Sequence, residues 1–133
     1  MLNRCSFFEI KKIKEPFRDN KEDEPHFYCV ARSHPKWWKG SCFPSAMPSK
    51  SLLSAIKKGN ITWEQYTDIF TQEILSNTKA KSLLKALWKQ SQHEEIYLVC
   101  WEKTERNMMD TKCHTILLME MAESLARDDA WTC

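Results

Sequence analysis

Four side chains able to do covalent or proton-transfer chemistry fall close together late in the chain: Cys100, Glu102 and the adjacent pair Cys113-His114. A thiol at the start of a helix meets unpaired backbone N–H groups and the positive end of the helix dipole, both of which favour the thiolate. Cys113 is therefore a candidate nucleophile, with His114 and Glu102 as candidate proton carriers. Adjacent side chains on a helix diverge by about 100°, so a partner for Cys113 is expected from elsewhere, from His34 or Glu102. Glu102 alone suits hydrolysis or glycosyl-type transfer. Arg32, at the end of an earlier apolar run, suits a phosphate or carboxylate clamp, or a pairing with Glu102.

The same residues admit other uses. Cys100 at the end of a buried strand is also a good small apolar residue. Zinc ligation by Cys100, Cys113 and His114 would require two adjacent ligands and lacks the usual Cys-x-x-Cys spacing, so no metal is expected. Trp37-Trp38, between Lys36 and Lys39, could stack bases or sugars while the lysines meet phosphates; a packed lid or a protein contact explains the pair equally well. The residues name no cofactor.

Composition narrows the classes. The 20 Lys and Arg against 18 Asp and Glu leave a net charge of +2. That is too little for a dedicated nucleic-acid binder, although local phosphate contacts stay open. With only two glycines, Gly40 and Gly59, a Gly-rich phosphate loop cannot be built. The first eight residues lack the apolar run of a signal peptide or membrane span. The six cysteines, at 5, 29, 42, 100, 113 and 133, show no framework spacing, which favours reduced thiols and a cytoplasmic setting without membrane contact.

The elements that must position these residues follow from periodicity. Ser6 to Lys14 reads as a strand or extended lead-in, and the charged residues 15–25 as a mobile, solvated loop bounded by prolines. His26 to Ala31 reads as a buried strand delivering Arg32, and Pro35 to Pro48 as a long irregular loop. Ser49 can cap a helix carrying Leu52, Leu53 and Ile56 that ends at Gly59. Thr62 and Gln65 form a capping-box pattern before Trp63, Tyr66, Phe70 and Ile74, and Leu83, Leu84, Leu87 and Trp88 mark a third helix. Ile96 to Trp101 is the most strand-like run, and Leu117, Leu118, Met121, Ala122 and Leu125 mark a closing helix. The prediction is a single α/β domain over 1–133, a mostly parallel sheet packed by about four helices in a Rossmann-like three-layer arrangement. Ligands in such sheets lie beyond the strand C-termini, where Arg32, Cys100, Glu102, Cys113 and His114 gather.

The segment Leu98-Val99-Cys100-Trp101-Glu102-Lys103, followed by Cys113-His114 and a Leu-rich helix, resembles the C-terminal signature of the DUF488 family. Val30-Ala31-Arg32-Ser33-His34-Pro35, the stretch from Ala46 to Leu53 and Ile61 to Tyr66 are similar to its upstream elements in the same order, so the resemblance spans roughly residues 27 to 126. It implies an α/β protein with an enzymatic or nucleotide-related role and a site at Arg32, Ser49, Cys100, Glu102, Cys113 and His114. Thr115 stands where that family usually has an arginine after Cys-His, which leaves an anion contact from this position in question. Two functional expectations follow: a site for a nucleotide or other phosphorylated small ligand, with or without catalysis, or an interaction protein that holds a protein or other macromolecular partner through its Trp-rich loop.

Overall fold

The computed structural model describes residues 1–101 and 113–132, the last four of these without their side chains. Its centre is β4 (Ile96–Cys100), whose continuous apolar run is what burial on both faces requires. β4 pairs in parallel with β1 (Leu2–Ser6) on one side and β2 (His26–Cys29) on the other, and β3 (Ser41–Cys42) extends the edge in the order β1-β4-β2-β3. Ile96 and Leu98 face one apolar core; Val99 faces a second with Phe7, Ile10 and Trp38. The larger core is closed by α3 (Trp63–Leu75), α4 (Thr78–Ser91) and α5 (His114–Thr132), with α2 (Lys50–Lys57) beside them. This is the small α/β domain expected, with a fifth, short helix, α1 (Ile10–Lys14), on the opposite face.

Two local expectations are corrected. The first strand lies at Leu2–Ser6, not over Ser6 to Lys14; from Phe7 the chain turns through a 3₁₀ turn into α1. Phe7, Ile10 and Ile13 recur every three residues, a helical spacing that passes for imperfect alternation, and all three pack in the second core. Glu9 fixes the entry by accepting a hydrogen bond from the Ser6 backbone N–H at 2.9 Å. The second correction is in Pro35 to Pro48, which is not wholly irregular: Ser41–Cys42 lies against Tyr28 and Cys29 as β3, and Pro44–Ala46 forms a 3₁₀ turn. Gly40 is required there, because a Cβ would stand 2.6 Å from the Trp38 ring.

The predicted helix ends hold: Ser49 accepts from Leu52 N–H, Thr62 and Gln65 cap each other reciprocally, and Gly59 follows α2 at φ +74°. Asn77, not among those ends, caps α4 by accepting from Ala80 N–H. Within residues 15–25, Glu15–Phe17 and Lys21–Asp23 form 3₁₀ turns, and Glu24 pairs with Lys14 at 3.2 Å. Among the described residues no helix is long and apolar enough to cross a membrane.

Candidate functional site

A cavity of about 910 Å³ opens at the C-terminal ends of β2 and β4. Ala31, Arg32 and Ser33 border it beyond β2, Cys100 and Trp101 close β4, and Cys113 and His114 open α5. Helices α2 and α3 supply the far wall through Leu53, Ile56, Lys57, Trp63 and Tyr66. The wall thus combines aromatic rings with cations, and Arg32 and Lys57 also border a shallow depression that adds Lys50 and Lys58. No acidic side chain lines either hollow among the described residues. Such a lining attracts an anion that carries a ring or an apolar body.

At the base of the cavity sits a buried polar cluster. The Cys100 and Cys113 sulfurs are 3.1 Å apart, with the two residues only 2% and 3% exposed. The Thr115 hydroxyl donates to Cys113 Sγ at 3.0 Å and accepts from Arg4 Nε at 2.8 Å. Arg4 Nη2 also reaches Cys100 Sγ at 3.9 Å, and Arg4 and Thr115 are themselves buried. The strand register explains the reach: Arg4 lies beside Leu98 and Ser6 beside Cys100, so the Arg4 side chain extends along β4 toward its end.

Donors therefore converge on one sulfur. The hydrogen bond from Cys100 is the largest influence on Cys113; burial opposes it, and His114 and Thr115 act with it, holding the Cys113 thiol far below its ordinary value, at about 3. Burial works against the charge on Arg4, yet the negative Cys113 and hydrogen bonds to Cys100 and Cys113 raise its pKa. A permanent guanidinium and a thiolate form a compensated pair in a place where either alone would be costly. Burial, the Cys113 charge and Glu73 together push the Tyr66 hydroxyl upward.

Cys113 precedes α5, whose first helical residue is His114. The angular separation expected of neighbours within a helix does not apply across that boundary, and His114 contributes a hydrogen bond to Cys113. Its Nε2 is fixed 2.8 Å from the Val30 carbonyl oxygen, and its ring meets Phe70 edge-on. With Nε2–H donating to that carbonyl, the hydrogen bond to Cys113 comes from an N–H on the other ring nitrogen, Nδ1.

Of the residues singled out from the sequence, Arg32, Cys100, Cys113 and His114 come together around the cavity. Arg32 is anchored by donation from Nε to the Pro48 carbonyl at 2.7 Å. Ser49 does not line the cavity; its hydroxyl donates to Glu73 at 2.5 Å and caps α2. His34 is exposed and lies against the Pro35 carbonyl. Trp38 is buried against Phe7, and Trp37 is exposed beside a second hollow, so neither reaches the thiols' cavity. The cavity's tryptophans are Trp63 and Trp101. Glu102 lies outside the described residues. Among the described residues no group of three or more His, Cys, Asp or Glu could hold a metal ion.

Residues 12–125 match the family model DUF488-N3a, whose description is the active DUF488-N3 subclade. The chain belongs to the DUF488 family. No curated protein and no solved structure matches it. In this DUF488 domain, Thr115 takes the position after Cys-His where an arginine was expected, and a guanidinium reaches the same place from β1: Arg4 bonds to Thr115 itself. Arg4 at the thiols and Lys57 and Trp63 in the cavity wall are the members that no sequence motif pointed to, and the hydrogen bonds of Thr115 were equally hidden. A charged residue between Leu2 and Cys5 was the one available hint, and it carries meaning only once Leu2–Ser6 is known to be a buried strand.

Proposed function

We propose that this DUF488 domain binds a nucleotide or another phosphorylated small ligand in the cavity at the strand ends, with Cys113 as the nucleophile toward it. One observation carries the reading: a single cavity brings Cys113, His114 and Arg32 together with Lys57, Trp63 and Trp101. Arg32 and Lys57 suit the phosphate and the tryptophans suit a base or another ring. The description of the matched subclade as active supports chemistry as well as binding. In the step this arrangement suits, the Cys113 sulfur pair forms a bond to the ligand's electrophilic atom. The leaving group departs with its bonding pair and takes a proton from His114. Water then releases the transferred group, returning the proton to His114 and restoring the thiolate. The free thiols of the described cysteines suit a reducing compartment, which supports a cytoplasmic location.

Thermal-shift titration with nucleotides and sugar phosphates tests the binding. Stabilisation by about 2.7 kcal/mol is expected at one hundred times the dissociation constant, and it should vanish in Arg32→Ala. No shift with any phosphorylated compound on the reduced protein would sink the proposal.

A second reading rests on a different face. Phe8 and Trp37 are 64% and 57% exposed and border a hollow lined by Lys11, Lys14, Arg18 and Lys21 together with Glu15 and Glu24, the last paired with Lys14. Large exposed aromatics beside cations are what an interaction surface presents to a macromolecular partner. Phe8→Ala and Trp37→Ala together should then abolish partner binding without altering the thermal response to nucleotides; unchanged partner binding would remove this reading.

A further inference from the structure

We infer that Cys100 and Cys113 form a reversible disulfide when a hydroperoxide enters the cavity, Cys113 being the sulfur oxidised and Cys100 the sulfur that resolves it. The sulfurs already lie 3.1 Å apart, and a disulfide of about 2.05 Å requires them to close by only about 1 Å. Cys113 and Cys100 both line the cavity, so a small oxidant arriving there meets both.

The roles differ because the surroundings differ. Hydroxyl, thiol and imidazole donors converge on Cys113, which favours its thiolate. Because the Thr115 hydroxyl already donates to Cys113, the proton shared by the two sulfurs belongs on Cys100 in the step that follows. In the first step the Cys113 thiolate attacks a peroxide oxygen; the O–O bond breaks, an alkoxide or hydroxide leaves and takes a proton from solvent, and Cys113 becomes a sulfenic acid. In the second, the Cys100 sulfur attacks the sulfenyl sulfur; the S–O bond breaks, the S–S bond forms, and the Cys100 proton leaves with the hydroxide as water. Two thiols are oxidised by two electrons while the hydroperoxide is reduced to an alcohol and water.

Cys5 and Cys29 are poor competitors: both are buried, and burial pushes their thiols up to about 12 and about 11. Where Cys113 also serves as the nucleophile, which rests on the function proposed above, the disulfide switches that chemistry off and thiol reductants restore it.

The test uses reduced, ligand-free protein treated with one equivalent of hydrogen peroxide. Trypsin cuts after Lys103, Arg106 and Lys112, between the two cysteines, so the bond joins peptides that otherwise separate. An intact mass about 2 Da lower and a dithiothreitol-sensitive link between the Cys100 and Cys113 peptides are expected. Linkage through another pair, or Cys113 sulfinate with Cys100 still alkylatable, would overturn the inference. In Cys100→Ser, dimedone should trap a Cys113 sulfenic acid; a persistent 2 Da loss of about the wild-type extent in that variant would equally overturn it. Because the linkage is read without ligand, its failure is separable from a failure of nucleotide binding on the reduced protein.

Discussion

Two pairs of cysteines sit at the C-terminal edge of this sheet. Cys29 lies beside Cys42 in the β2–β3 register, much as Cys113 lies beside Cys100 beyond β4. At the first pair the Cys29 thiol points to the Ala31 carbonyl at 3.5 Å, and burial, with Cys42 adding to it, drives its pKa up to about 11. At the second pair burial is at least as complete, yet donors from Cys100, His114 and Thr115 reverse the outcome. Burial alone makes a thiol inert; burial with converging donors and a compensating guanidinium makes a thiolate. Proximity of two cysteines therefore says little until their other neighbours are known.

The widest separation between the pairs should appear in pH dependence. Alkylation of Cys113 should stay nearly flat from pH 5 to 8, whereas an ordinary thiol gains about tenfold per pH unit below its pKa. The linkage signs are opposite. Cys113 is depressed from 9.0 to about 3, so the stability it contributes is complete above pH 9 and declines as pH falls toward 3. Cys29 is raised from 9.0 to about 11, so its contribution is complete below pH 9 and is lost as pH rises through 11. Denaturation midpoints of wild type and Cys113→Ser should accordingly diverge as pH increases from 4 to 8. A constant gap would show that Cys113 carries no charge in the folded protein.

Next in size is Arg4→Met, which keeps the apolar stem and removes the guanidinium. Leaving the thiolate without its buried cation should lower stability by on the order of 3 kcal/mol, measured by chemical denaturation. Mass-spectrometric labelling should also show the Cys113 profile moving to higher pH while that of Cys29 stays in place. If both profiles stay fixed, the pairs do not differ through Arg4. Thr115→Val should do less, about 1–2 kcal/mol, because it removes a hydroxyl that hydrogen-bonds two partners but leaves both charges. It too should raise the pH at which Cys113 labels.

How legible the two pairs were in the sequence follows the same division. Local rules reached the helix ends, since Ser49, Gly59, and Thr62 with Gln65 act on backbone within a few residues. They also reached β4, whose unbroken apolar run states its burial on both faces. They failed at Leu2–Ser6, where Asn3 and Arg4 interrupt the apolar pattern and the strand exists because β4 offers it hydrogen bonds. With that strand misplaced, Arg4 could not be set beside Cys100, and Thr115 looked like a loss when it is a link. Trp63 follows the periodicity of its helix and Lys57 falls between the Ser49 cap and Gly59, but only packing turns those helix ends toward the cavity. Cys113 and His114 were legible as chemistry; their environment was tertiary.

The smallest effect is the strictest test of the comparison. Cys42 is only half-buried, on a two-residue edge strand, so Cys42→Ser should change stability by less than about 1 kcal/mol. Cys42 adds to the upward shift of Cys29 through its charge and a hydrogen bond, but burial is the larger cause. Cys29 should therefore remain unlabelled by iodoacetamide at pH 8 in the folded variant, with Cys113 labelling as before. If Cys29 instead becomes reactive once Cys42 is gone, its inertness belonged to the neighbouring sulfur and not to the apolar surroundings. Reactivity at this sheet edge would then depend on which cysteines are paired, and the convergence of Cys100, His114 and Thr115 on Cys113 would no longer distinguish the two ends of the sheet.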